Sequence, residues 1–296
     1  MLGAVKSLMP WWGRIAFKIC LSRLPLPYKF WKNLSLFAHG EMNDSSYAFK
    51  VFDRHFSRYQ ASKGFHTNFD IMELGPGDTL STALIACSKG ASGTVLVDAG
   101  YFADDNVDFY QQLATELRID HEQCPGLDDV SSLDELLRRY NAKYCSEGLN
   151  DLKQLPDNSI DFIFSHAVFE HIRTGEFAAH MRELNRILRP DGFMSHRIDF
   201  KDHLGGGLNN MRVSSERWES ALFRNSGFYT NRLRASDVLR MMEDAGFECE
   251  VVHQDEWKVV PLARESLSDE FKHYADEDLK VSGMDIVSRH SLDLGE

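Results

Sequence analysis

IMELGPGDTLSTALIA, residues 71–86, decides the fold. It opens as a short apolar run with one acid, Glu73, near its end. It then turns through Gly75-Pro76-Gly77 and continues as an apolar segment long enough for a helix. A strand, a tight turn and a helix in that order are the first half of a βαβ unit. Without side chains, glycines let the backbone bend sharply and approach a ligand closely, at the carboxyl edge of a parallel sheet where α/β folds bind small molecules.

Working outward, the spacing predicts strands over Phe69–Leu74, Gly93–Asp98, Ala142–Glu147, Ile160–Ser165 and Gly192–Asp199, with helices over Thr79–Lys89 and Gly175–Leu188. The runs TVLV and IDFIF lack polar alternation, as expected of strands covered on both faces. Residues 200–234 read as a loop-rich insertion. A helix over Ser236–Ala245, closed by Gly246, precedes strands over Glu248–His253 and Gly283–Arg289. The reading is an α/β, Rossmann-like sheet with helices on both faces, occupying residues 61–296 behind an N-terminal helical extension, residues 1–60.

The 296 residues carry a net charge of −12, so nucleic acid is not expected as a partner. The charge is uneven: Lys6, Arg14, Lys18, Arg23, Lys29 and Lys32 precede the first acid, Glu41. From Trp11 to Leu24, Arg14, Lys18 and Ser22 share one helix face and apolar residues fill much of the rest, until Pro25 and Pro27 end the helix. No continuous apolar run long enough to span a bilayer occurs there, and Arg14 and Lys18 break any secretory signal. Such a basic helix has two readings: peripheral contact of residues 1–35 with an anionic membrane, or cover for the domain or a partner subunit. Five dispersed cysteines with no ligand spacing fit reduced thiols and a cytoplasmic location, peripheral at the membrane on the first of these readings.

Two acids end two successive strands, Glu73 and Asp98, 25 residues apart. An acid at the second position accepts hydrogen bonds from vicinal ribose hydroxyls in nucleotide-binding βαβ units. GPGDTL lacks the third glycine of GxGxxG, which argues against NAD or FAD. In combination, ELGPG (73–77), VLVD (95–98), LPDNSIDFIFSHAVFEHI (155–172) and LNRILRPDGFM (184–194) resemble the class I S-adenosylmethionine-dependent methyltransferases. Thr79 departs from that pattern, standing where many members have a further glycine.

The resemblance implies a seven-stranded, mostly parallel sheet whose last strand is antiparallel, and S-adenosyl-L-methionine as cofactor. It implies that Glu73 and the backbone around Gly75, Pro76 and Gly77 hold the methionine end, that Asp98 holds the ribose, that Asn150, Asp151 and Leu152 border the adenine, and that Ser165 and His166 face cofactor and substrate. Methyl transfer from a sulfonium chiefly requires alignment and, for a hydroxyl acceptor, a general base. Candidate bases cluster in SHRIDFKDHLGGG (195–207): His203 leads, oriented by a carboxylate such as Asp199, with Asp202 beside it and His166 as the second choice. These groups read as a hydrogen-bond network, and no metal is expected.

Residues 205–234 are rich in Asn, Arg, Trp and Tyr, a mixture suited to hydroxylated rings. Their pattern resembles methyltransferases encoded among bacterial surface-polysaccharide and natural-product glycosylation functions. The expected reaction is methylation of an oxygen on a small molecule, a sugar hydroxyl of a surface glycan or its precursor. Alternatives are methylation of a lipidic phenol or quinone precursor, and a cofactor-binding regulatory module without catalysis.

Overall fold

The computed structural model describes residues 44–120 and 125–291, together with Trp12, Gly13, Ile15, Ala16 and Ile19. Arg14, Lys18 and Ser22, the polar face expected of the first helix, and the Pro25–Pro27 turn lie outside the described residues.

Seven strands, β1 (Phe69–Leu74), β2 (Ala91–Val97), β3 (Ala142–Cys145), β4 (Ile160–His166), β5 (Leu188–Asp199), β6 (Phe247–Glu256) and β7 (Val281–His290), form one sheet in the order β3-β2-β1-β4-β5-β7-β6. The first five pair in parallel, and β7 runs antiparallel to both of its neighbours. This is the class I methyltransferase sheet that the resemblance implied. The chain order reverses between β1 and β4, and the crevice at that switch point opens at the carboxyl ends of the strands, where such sheets bind ligands. β5 starts four residues earlier than its pattern suggests, because Leu188 already pairs with Ile160 before the register shifts to Phe162 opposite Phe193.

Each face of the sheet has its own core. Ile71, Leu96, Phe162, Phe164 and Phe193 point to one side, where α1 (Ser45–Lys63) and α2 (Ser81–Ser88) cover them. Met72, Leu74, Ile163, Met194 and Ile198 point to the other, under α6 (Thr174–Ile187) and α9 (Ala235–Glu243). Burial on both sides is why the strands read as unbroken apolar runs.

α1 falls mostly within the residues expected to form the N-terminal extension, and it packs on the sheet. Asp44 caps it by accepting from Ser46 N–H at 2.9 Å, and Ala48, Val51, Phe52, His55, Phe56 and Tyr59 recur at helical spacing on its buried face. Tyr59 stacks on Phe162 with ring centroids 4.6 Å apart. Burying an aromatic ring of this size stabilises by about 1.5–3 kcal/mol, so α1 is integral to the domain. Of the segment before it, Ile15 is buried in a cluster with Leu204, Trp218, Phe228 and Tyr229.

The remaining helices are α3 (Val107–Asp120), α4 (Leu133–Arg139), α5 (Leu149–Leu152), α7 (Ser215–Trp218), α8 (Ala221–Arg224) and α10 (Asp276–Lys280). The insertion after β5 does not stand alone. Leu208 and Met211 from it pack on Leu262, Leu267, Phe271 and Leu279 from the β6–β7 connection, a second insertion that strand periodicity did not reveal. Among the described residues no helix is long and apolar enough to cross a membrane.

Candidate functional site

At the tip of β1 the chain turns through Gly75 (φ +70°) and Gly77 (φ +67°), a conformation that disfavours side chains. Gly75 N–H donates to Val97 O at 2.8 Å, and Gly77 N–H donates to Asp98 Oδ2 at 3.1 Å. Asp98 Oδ1 accepts from Ala99 N–H at 2.7 Å, and its carbonyl accepts from Gly148 N–H at 2.9 Å. The glycine bend, the β2 tip and the loop after β3 are thus tied together at Asp98. A Cβ on Gly75 would lie 2.4 Å from Val168 Cγ2, so the bend also fixes the loop after β4. Gly75→Ala should cost about 1–3 kcal/mol through this clash and the positive φ, read as a fall in denaturant midpoint.

Glu73 is 3% exposed, and its Oε2 has no hydrogen-bond partner among the described residues. Burial pushes its carboxyl up to about 8, against a hydrogen bond from Thr82 that favours the charged form, while nearby Asp98 raises it further. A buried carboxyl oxygen without a partner, beside a side-chain-free bend, suits a ligand bearing an ammonium group, and the methionine end of S-adenosylmethionine has one. The residues present fit that cofactor. Pro76 is buried, and Thr79 at the departing position turns its hydroxyl to Ser81 Oγ at 2.8 Å. Thr79 also lines a cavity of about 120 Å³ with Asp104, Asn106, Phe109 and Tyr110.

The loop after β3 divides the three residues expected at the adenine. Asn150 is exposed, and Asp151 Oδ2 caps the loop by accepting from Glu147 N–H at 2.6 Å. Leu152 is fully buried in the second core.

At the tip of β4, successive side chains go to opposite faces, so Ser165 and His166 do not act as a pair. Ser165 is fully buried, its Oγ 2.7 Å from His196 Nδ1, and the His196 ring stacks on Phe169 at 4.3 Å. Partly buried His166 faces α1, its Nδ1 3.2 Å from His55 Nε2, and His55 Nδ1 lies 2.9 Å from Ser195 Oγ. Burial, with Arg54 and Arg197 next in effect, brings His166 down to about 4. Burial brings His196 to about 3 and His55 well below the usual imidazole range. All three are neutral at pH 7.

Sequence reading missed His55. Its one signal is a histidine on the apolar face of AFKVFDRHF, a place where an imidazole requires a polar partner. Beside it Arg54, Arg58 and Arg197 converge on Asp285, whose side chain is wholly buried.

Beyond β5, Asp202 is buried and accepts from Leu204, Gly206 and Gly207 N–H through Oδ1, and from Asn209 N–H through Oδ2. Four backbone donors make it a staple of the loop. Asp199 Oδ1 accepts from Lys201 N–H at 3.0 Å and pairs with its ammonium at 3.4 Å. The His203 ring lies 5.0 Å from that of His171. Among the described residues no group of three or more His, Cys, Asp or Glu is arranged to hold a metal ion.

No curated protein matches the sequence at a significant level. Among solved structures, an S-adenosylmethionine-dependent methyltransferase from Archaeoglobus fulgidus is 12% identical, with 83% of this chain and 94% of that chain covered and a TM-score of 0.46. Another from Mesorhizobium loti is 15% identical, with 79% and 97% covered and a TM-score of 0.43. Residues 103–195 match the family model described as a methyltransferase domain. The sheet order is that of the class I methyltransferase fold, and the match over residues 103–195 supports S-adenosylmethionine as cofactor and methyl transfer as chemistry.

Proposed function

We propose that the protein methylates an oxygen of a small molecule, a sugar hydroxyl of a surface glycan or its precursor, at the crevice between the tips of β1 and β4. The observation that carries this reading is the His55–His166 contact at 3.2 Å, which anchors one nitrogen of an imidazole kept neutral at a strand tip of the crevice. A neutral, oriented imidazole suits removal of a hydroxyl proton.

In this reading Glu73 and the bend at Gly75, Pro76 and Gly77 hold the methionine end of the cofactor. Asp98 exchanges its bonds to Gly77 and Ala99 for ribose hydroxyls, and Asn150 and Asp151 edge the adenine. Bound S-adenosylmethionine supplies a methyl group made electrophilic by its sulfonium. His166 accepts the proton of the acceptor hydroxyl, and His55 fixes the ring's tautomer and angle. His203 is the second candidate base, with Asp199 nearby on the same loop. The burial of Ile15 against Leu204, Trp218 and Tyr229 supports the first segment acting as cover for the insertion rather than as a membrane anchor.

The test is turnover. Purified protein with S-adenosylmethionine and a surface-glycan extract is expected to release S-adenosylhomocysteine and a methyl ether stable to mild alkali. An alkali-labile ester, or product only with phenolic lipids, moves the acceptor to another class; cofactor binding without product on any acceptor indicates a regulatory module. For the cofactor site, Asp98→Ala should weaken S-adenosylhomocysteine by about 10- to 100-fold in isothermal titration, since each hydrogen bond to a charged group contributes about 1.5–3 kcal/mol. An unchanged affinity removes Asp98 from the ribose.

A further inference from the structure

Among the described residues, seven buried side-chain polar atoms lack a hydrogen-bond partner, and four of them belong to residues lining one cavity: Glu170 Oε2, Asn210 Oδ1, Arg232 Nε and Arg234 Nε. Native interiors leave few such atoms, so four among the residues of a single cavity point to a ligand group that pairs with them. The cavity lies past the carboxyl ends of β4 and β5, where Asp199 and Lys201 also line it, and both arginines come from the end of the insertion. It encloses about 10 Å³, room for one water-sized group. The four residues are 1–6% exposed.

The partners already made define what is missing. Arg232 donates from Nη1 to the carbonyls of Asn210 and Val213, at 3.3 and 2.6 Å, and from Nη2 to Ser215 Oγ at 2.9 Å. Arg234 donates from its two Nη atoms to the carbonyls of Phe200, Asp278, Leu279 and Val281. Each guanidinium keeps its Nε–H. Asn210 donates from Nδ2 to Thr230 Oγ1 at 3.0 Å and keeps its Oδ1. What remains is two donors and, with Glu170 Oε2, two acceptors. An anion would be set against the two acceptors and an ammonium against the two donors, whereas a hydroxyl accepts from both donors and gives its one proton to one of the acceptors. Burial pushes the Glu170 carboxyl up to about 8, and a neutral hydroxyl can pair with either protonation state.

We propose that this cavity seats a hydroxyl of the methyl acceptor and so selects neutral hydroxylated rings over carboxylates, phosphates and amines. The inference rests on the reading of the enzyme as acting on a small-molecule hydroxyl and names the residues that recognise it. Glu170, Asn210, Arg232 and Arg234 are binding and positioning residues, with no part in the bond exchange.

The experiment uses the full chain loaded with S-adenosylhomocysteine and saturation-transfer NMR with methyl α-glycosides of glucose, mannose and galactose, alongside their fully O-methylated ethers and glucose 6-phosphate. At least one free glycoside should take up saturation, and the ethers and the phosphate should not. Asn210→Leu and Glu170→Met, each of which removes the polar atom that faces the hydroxyl, should lower that signal at least fivefold while leaving the affinity for S-adenosylhomocysteine within about twofold. Should Asn210→Leu fail to fold, Glu170→Met, of similar length and without carboxyl oxygens, decides alone. Equal saturation by the ethers, none by any free glycoside, or variants that bind as the parent protein does overturn the proposal and leave the cavity to a structural water. Failure of the reading it rests on is separate: the parent protein would then bind S-adenosylhomocysteine yet form no methyl ether with any hydroxylated acceptor in the turnover test.

Discussion

Exchange of His166 for alanine is expected to lower kcat by about two to four orders of magnitude, the range in which a positioned general base contributes. The affinity for S-adenosylhomocysteine should stay within about twofold, because the ring faces α1 and the His55 imidazole rather than the glycine bend. Burial and the neighbouring arginines bring the His166 proton affinity down to about 4. The ring therefore accepts a proton at every pH above that value, and kcat should hold steady as pH falls through 6.5, where an ordinary imidazole would titrate. A weak base also supplies less driving force, so the gain comes from orientation, which His55 provides. His55→Ala should then reduce kcat by a smaller factor with KM little changed. If His166→Ala turns over like the parent protein, the base lies elsewhere, with His203 first.

The largest loss of stability is expected at Asp285. Its side chain is wholly buried and faces three guanidinium groups, with Arg54 Nη2 at 2.7 Å, Arg197 Nη1 at 3.1 Å and Arg58 in contact. Of those cations, Asp285→Ala leaves Arg197 with Asp255 at 2.5 Å, while Arg54 and Arg58 lose their carboxylate. Removing one side of a buried ion pair costs about 3–5 kcal/mol. For a chain of this length that is roughly 6–20 °C in Tm, measured by calorimetry.

The pH dependence has a defined sign. Burial alone would raise the Asp285 carboxyl, but the hydrogen bonds from Arg58 and Arg54 outweigh it and hold it below 3.8. A depressed carboxylate contributes stability that is present above its unfolded value and lost as pH falls through the folded one. The parent protein should therefore lose its Asp285 advantage only below about pH 4, and the variant should lack that step. The buried histidines act earlier. His166 and His196, at about 4 and 3, withdraw stability as pH falls from 6.5 toward those values. Glu73 and Glu170, both raised to about 8 by burial, oppose them, withdrawing stability as pH rises from 4.5 through 8.

How much was legible depended on the range of the interaction. Strand β1 was read to the residue, and the glycine bend, Asp98 and the helix closed by Gly246 came from turn chemistry within a few residues. The surroundings of Asp202 were not legible, because a loop carboxylate reads alike whether it faces a substrate or, as here, four N–H groups of its own turn.

By itself the sequence determined the alternation of strands and helices, the two-sided burial of the sheet and the acid–glycine–glycine–acid crevice. Periodicity and backbone freedom are local properties that a chain carries before it folds. Tertiary structure decided which face of the sheet each strand-tip side chain takes, and it brought His55 to His166 across 111 residues and Arg197 to Asp285 across 88. It also folded the insertion after β5 back to Glu170, so that Asn210, Arg232 and Arg234 line one cavity with it. Those pairings depend on strand register and on helices docked across the sheet, which no spacing along the chain encodes.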